Sequence, residues 1–262
     1  MAGPVDLQTL DPALAKDLST IFLVRQIFTG LTRLDENLEP IPALADSIEI
    51  SDDGLTYLFT LRRDARFADG RDITADDVVY SLTRALDPAT AGGDASQLAA
   101  PTFLADIAGA RELLSGEATT LAGVRAIDEL TLEIELVQPR STFLMRLATG
   151  PASVIDVEDV EERDDWWTDP NATGPFVIDQ FDISSAMMLQ PNENFYRGAP
   201  ALKEVQILLG ANAFQPLNLY QNDVVDIAPV GFFSLDRALD PASDLYPDLL
   251  QSDLFAVEYV AF

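Results

Sequence analysis

The stretch from Asp52 to Pro88 constrains the fold most, because a turn, a strand and a capped helix can be read from it in succession. Asp53-Gly54 is a turn dipeptide in which glycine supplies the positive φ that side-chain-bearing residues resist. Leu55, Tyr57, Phe59 and Leu61 then alternate with Thr56 and Thr60, the period-2 pattern of a half-buried strand. Asp69-Gly70 is a second turn. Thr74 with Asp77 three residues on predicts a capping-box helix start, with Asp where Glu or Gln is commoner. Val78, Val79, Leu82, Ala85 and Leu86 then fall on one helical face, and Asp87-Pro88 ends the helix because proline disfavours α geometry in the residue before it. Carboxylates in the first turn and Arg84 near the end suit the helix dipole.

Composition narrows the chemistry. The 262 residues carry 16 basic and 44 acidic side chains, a net charge of −28, which repels phosphate backbones and anionic lipid surfaces. No nucleic-acid partner and no direct membrane insertion are therefore expected, and no apolar run is long enough to span a bilayer. Such acidity fits a solubilising surface or a saline habitat. With neither Cys nor His, the chain has no Cys nucleophile, disulfide, Ser-His-Asp triad, or thiolate or imidazole metal ligand. No metal and no cofactor are expected. Asp52-Asp53 and Asp164-Asp165 lack calcium-loop spacing and read as solvated acidic turns.

Elsewhere, residues 5–12 read as a short strand and residues 21–31 as a helix capped by Asp17 or Ser19, with Gly30 as its C-terminal glycine. Residues 34–37 form a hairpin-like turn. Ile48–Ile50 and Leu55–Leu61 are expected as consecutive antiparallel strands, followed after the 75–86 helix by a helix over 103–114. Thr131–Val137 is an amphipathic strand, 141–147 a short helix, and Val154-Ile155 a strand. The acidic stretch 158–169 reads as a solvated helix whose Trp166 and Trp167 pack on the unit before it or offer a stacking surface. Strands follow at 176–181, 187–190, 205–209 and 255–262, with a helix at 214–220.

Several phrases carry a resemblance. Leu61-Arg62, Phe67, Asp69-Gly70, Thr74-Ala75-Asp76-Asp77-Val78-Val79-Tyr80-Ser81-Leu82 and Leu86-Asp87-Pro88 stand in a characteristic order. So do Thr9-Leu10-Asp11-Pro12, Ile27-Phe28-Thr29-Gly30-Leu31, Pro42-Ala43-Leu44-Ala45, Thr173-Gly174-Pro175-Phe176, Asn192 with Tyr196, and Asp226-Ile227-Ala228. Together they resemble the extracytoplasmic solute-binding proteins of ABC importers, in the oligopeptide, dipeptide and nickel-binding family. Ala172 departs from the leading glycine of the family's GTGPF phrase, and Asn222-Asp223 from its usual Gly-Glu.

The resemblance implies an α/β, periplasmic-binding-protein-like first lobe of class II type: a mixed sheet with an inserted small α+β subdomain, the second lobe missing. Residues 1–44 and 168–262 would form the main lobe and 45–167 the insertion. It implies capture of a small solute, expected to be an oligopeptide, for ABC permease subunits, in a periplasmic or extracytoplasmic setting. The N-terminus shows no signal-peptide pattern, so this sequence is expected to begin after processing or at an incomplete start. By position, Leu10, Asp11, Phe28, Gly30, Leu31, Tyr80, Gly150, Pro151, Gly231, Phe232 and Phe233 are the candidate ligand-binding residues. Tyr80 fits a core aromatic on an amphipathic helix equally well. Phe232 and Phe233, adjacent after Gly231, cannot both face one core.

Two rival classes remain at this stage. A carboxylate-based hydrolase needs two acids at a defined separation, but no G-x-S-x-G or phosphate-loop motif occurs, and no enzyme activity is expected. An interaction module completed by a separately encoded lobe would use an open final strand for pairing.

Overall fold

The computed structural model describes residues 1–3 and 6–251. Helix α1 (Leu18–Ile27) starts on Asp17, whose side chain accepts from the Thr20 backbone N–H. Strands β1 (Thr32–Leu34) and β2 (Pro40–Pro42) form a small hairpin. A four-stranded antiparallel sheet follows in the order β3-β4-β6-β5, from Ala45–Ile50, Thr56–Leu61, Thr131–Glu135 and Val124–Ala126. Along β4 the burial alternates, with Tyr57, Phe59 and Leu61 inward, as the period-2 pattern predicts.

Helix α2 spans Ala75–Leu86, the predicted bounds, and carries the capping box of Thr74 and Asp77. The Asp77 carboxylate accepts from the Thr74 backbone N–H at 2.8 Å while also receiving two guanidinium bonds from Arg71. This explains Asp at that position: the carboxylate is buried and anchors both the helix start and an arginine. Helices α3 (Pro101–Leu104), α4 (Ala110–Leu114), α5 (Phe143–Leu147) and α6 (Val157–Glu162) are short. A second antiparallel sheet runs β7-β8-β9, from Phe176–Asp182, Ala186–Pro191 and Val205–Leu208. The N-terminus joins it, since Ala2 bridges Leu208 in parallel fashion. Helices α7 (Pro216–Gln221) and α8 (Leu235–Leu239) complete the described elements.

Two hydrophobic cores result. One gathers Phe59, Phe67, Val78, Leu82, Leu132, Ile134 and Phe143 around the four-stranded sheet and α2. The other gathers Leu10, Leu23, Ile27, Phe28, Trp166, Met187, Leu189 and Ile207 around α1 and the three-stranded sheet. Asp106 ties the first core's periphery together. Arg140 holds its carboxylate with two bonds of 2.8 and 2.9 Å, and Arg146 and Gln138 add 3.0 and 2.8 Å contacts.

Several expectations need correction. No strand is described over residues 6–12; a turn follows at Pro12–Leu14. The 103–114 helix is broken into α3 and α4, because Gly109 adopts φ +81° and Ile107 bridges Leu136. Residues 154–155 are not a strand; the contact there is a single bridge between Ser153 and Gly30. The two tryptophans also reach beyond the preceding unit: Trp166 meets Phe28 edge-on at 5.9 Å in the second core, with Arg84 over its ring, and Trp167 meets Phe181 at 5.8 Å. The strand expected over 255–262 lies outside the described residues.

Hydrogen bonds from Arg140, with Arg146 nearby, hold the Asp106 carboxyl below the usual carboxylate range. A depressed folded value stabilises the protein above the unfolded value and is lost as pH falls through the folded one. Asp106→Asn is therefore expected to be less stable than the parent at pH 7, with the gap closing as pH drops below about 4. Urea titrations of both proteins across that range measure it.

Candidate functional site

The candidate residues fall into three groups. The first is where the chain passes between the two cores. There the backbones of Thr29-Gly30, Ser153-Val154 and Thr173-Gly174 run against one another. The Thr29 N–H donates to the Thr173 hydroxyl at 2.9 Å, and that hydroxyl donates to the Val154 carbonyl at 2.9 Å. Val154 N–H returns a bond to the Thr29 carbonyl, and Gly174 N–H donates to Ile27. Asn192 closes the set by donating to the Gly174 carbonyl at 2.8 Å.

Only glycine fits two of these positions. A Cβ on Gly30 would stand 2.9 Å from the carbonyl oxygens of both Ala152 and Leu147. A Cβ on Gly174 would stand 2.6 Å from the backbone of Ile27. Gly30 is thus a close-approach glycine rather than a helix C-cap: α1 ends at Ile27 and Phe28 is already extended. Phe28, Leu31, Gly150 and Pro151 are buried beside it.

The second group lies on α2 and the loop before α1. Asp11 is buried, and Arg84 grips its carboxylate with two bonds of 2.9 and 2.6 Å. The Asp11 carboxylate also accepts from Ala13 N–H. Arg84 lies over the Trp166 ring at 5.3 Å. Leu10 is fully buried in the second core. Tyr80 is half-buried against the same core, and burial, first, pushes its hydroxyl pKa up. The expected site residue Asp11 is therefore engaged by an arginine within the chain.

Next to this group a polar network joins α2 to α6. Arg71 bridges Asp77 and Asp156, and Asn171 donates to both Asp156 and Asp159. Burial raises the Asp159 pKa despite the Asn171 backbone bond. Asn171 also accepts from Asp69 N–H, so the Asp69-Gly70 turn is held against it.

The third group, Gly231, Phe232 and Phe233, is exposed, with Phe233 at 100% and Phe232 at 85%. The two rings stack edge-on to each other. They neighbour in sequence an open groove of about 1490 Å³, lined by Asp35–Leu38 of the β1–β2 turn, Leu217, Tyr220, Asp226–Val230, Leu235, Leu239 and Leu249. None of the candidate ligand-binding residues lines this groove, although the 34–37 turn and the Asp226-Ile227-Ala228 phrase read from the sequence do. Helix α8 was missed; Leu235 and Leu239, four apart, were the available signal. Among the described residues no group of three or more metal-ligating side chains could hold an ion, and no helix is long and apolar enough to cross a membrane.

The family model "Bacterial extracellular solute-binding proteins, family 5 Middle" matches residues 39–258. The chain belongs to this family. Among family 5 relatives, the probable deoxycholate-binding periplasmic protein YgiS of Escherichia coli K12 is 33% identical over 228 residues, 85% of this chain and 42% of that protein. The periplasmic oligopeptide-binding protein OppA of the same strain is 30% identical, over 85% of this chain and 41% of its own length. The solved murein tripeptide binding protein MppA of Escherichia coli superposes with a TM-score of 0.77 at 28% identity, over 93% of this chain and 47% of that one. This family 5 chain thus spans about 40% of the curated relatives it matches, and its fold is the mixed α/β lobe they share.

Two substitutions probe this geometry. Gly174→Ala forces backbone apart in the crossing and is expected to cost about 1–3 kcal/mol or more, read as a fall in melting temperature. Arg84→Met leaves a buried carboxylate unpaired and is expected to cost about 3–5 kcal/mol, whereas adding Asp11→Leu recovers much of that loss. A denaturation cycle over the four proteins measures the coupling.

Proposed function

We propose that this chain supplies one jaw of an extracytoplasmic solute-binding protein that captures short peptides for an ABC importer. The observation that carries the reading is the family 5 match over residues 39–258, together with superposition on solved binding proteins along nearly all of this chain. Relatives named for oligopeptides and for a murein tripeptide favour a peptide solute, and permease subunits are the partners the reading implies. Residues 1–44 and 168–262 form the main lobe in this reading, with 45–167 inserted.

Mechanically, backbone hydrogen bonds at the glycine crossing join the two cores. A two-lobed trap closes on its ligand by hinge motion, and closure is favoured by the contacts the closed form gains. This chain's share of the pocket is assigned to Phe28–Leu31, Gly150-Pro151 and Tyr80 beside the crossing, and to Gly231–Phe233 at an exposed tip. Leu10 and Asp11 act behind that surface: Asp11 holds Arg84, which braces Trp166 under Phe28. The apolar side chains exposed between Phe214 and Leu250, including Val224, Ile227 and Leu239, suit burial against further protein. The reading involves no catalysis, and no metal or cofactor takes part.

One jaw buries only part of a ligand, so affinity should be low. Isothermal titration of short peptides into this chain is expected to give dissociation constants near the millimolar range, a free energy of about −4 kcal/mol. Micromolar binding by this chain alone would contradict the one-jaw mechanism. Robust peptide or glycoside hydrolysis would overturn the non-catalytic reading.

A further inference from the structure

Beside α2 the two cores are tied by a knot of carboxylates around one guanidinium. Arg71 lies over the ring of Phe67, in the first core, at 4.1 Å. Its terminal nitrogens hold Asp77 near the start of α2 at 3.0 and 3.2 Å, and Asp156 at 2.9 Å. Asp156 caps α6 by accepting from Glu158 N–H, and its chain neighbours Ile155, Trp166 and Ala172 belong to the second core. Asn171 completes the tie. Its side-chain amide donates to Asp156 at 2.7 Å, and its backbone N–H donates to Asp159 at 2.5 Å. Its side-chain oxygen accepts from Asp69 N–H at 3.0 Å, and Ala68 N–H donates to the Ala172 carbonyl beside it.

Asp159 is the member of this knot left without a cation. It lies one turn along α6 from Asp156, and no ion pair among the described residues includes it. Asp156 on its own helix and Asp169 beyond it face it with like charge. Arg163 faces it with opposite charge but spends a bond on the Asp169 carbonyl. From α2, Asp77 meets Arg71 and Tyr80 faces Glu161. Burial, joined by Asp156 and Asp169, pushes the Asp159 carboxyl above the usual carboxylate range, against the Asn171 N–H and Arg163. A raised folded value means that the fold penalises the ionised form. That penalty is complete above the folded value and is relieved as pH falls through it.

We propose that Asp159 is a proton-sensitive latch on the tie between the two cores. Ionised, it loosens the hold of residues 156–172 on the Asp69-Gly70 turn and the start of α2; protonated, it firms that hold. Opening the tie frees Asp69 N–H from Asn171, so amide exchange at Asp69 reads the latch.

The test is hydrogen exchange of the whole chain at pH 7 and at about pH 4.5, corrected for intrinsic rates. Protection at Asp69 is expected to rise roughly threefold or more at the lower pH, relative to Phe59 inside the four-stranded sheet. Asp159→Asn keeps an oxygen for the Asn171 N–H and removes the charge, so its protection at Asp69 is expected to be high at both values. A carbon-13 titration of the Asp159 carboxyl in the parent needs no variant, and its midpoint is expected above about 4. Asp69 protection that ignores pH in the parent, an equal pH response in Asp159→Asn, or a midpoint at or below about 4 overturns the proposal.

Discussion

The structure depends on a place where side chains are excluded. At the crossing of Thr29-Gly30, Ser153-Val154 and Thr173-Gly174, three passes of backbone approach closely enough that a single methyl group at Gly30 or Gly174 would collide with carbonyl groups. Peptide groups satisfy one another there, and the Thr173 hydroxyl adds a second link between the Thr29 and Val154 segments, which also bond directly. Because the chain passes from one core to the other at this point, the relation between the cores is set by hydrogen-bond lengths of 2.8–2.9 Å rather than by side-chain packing alone. The candidate pocket residues Phe28, Leu31, Gly150 and Pro151 inherit their positions from it.

Charge is used unevenly around this frame. With acids outnumbering bases so heavily, most carboxylates are left to water, where ion pairs add little. Arg84 with Asp11, Arg71 with Asp156, and Arg140 and Arg146 with Asp106 instead join segments distant in sequence, and Arg71 also holds nearby Asp77. Each acid in these sets is largely withdrawn from solvent, so its arginine is a structural requirement. In the same arrangement Asp11, a candidate ligand contact by its place in the family phrase, holds Arg84, which lies over the Trp166 ring.

Regular elements with local signals were the legible part of the sequence. The α2 bounds, the capping box, the β3–β4 hairpin and the inward face of β4 follow from spacing and turn residues alone. What escaped was set by distant contacts. Nothing near Gly109 reveals that it must turn left-handed beside Ala122 and so divide a helical pattern. Nothing in the acidic stretch around Trp166 reveals that the ring faces Phe28. Gly30 was recognised as special for the wrong reason, since a helix-ending glycine and a close-approach glycine look alike in one dimension. A family phrase runs through Gly30, and another, Asp226-Ile227-Ala228, lines the groove beside α8, but a phrase does not say which of its residues face a pocket.

The bridge between Ala2 and Leu208 has a temporal consequence. A ribosome releases the first residues long before the strand that receives them, so this sheet cannot close until more than two hundred residues have emerged. The buried residues of the core around α2 all lie between Ala13 and Val154, so most of it is available for assembly much sooner. Vectorial synthesis thus separates the two halves of the molecule in time, with the opening segment waiting, unpaired, for its distant neighbour.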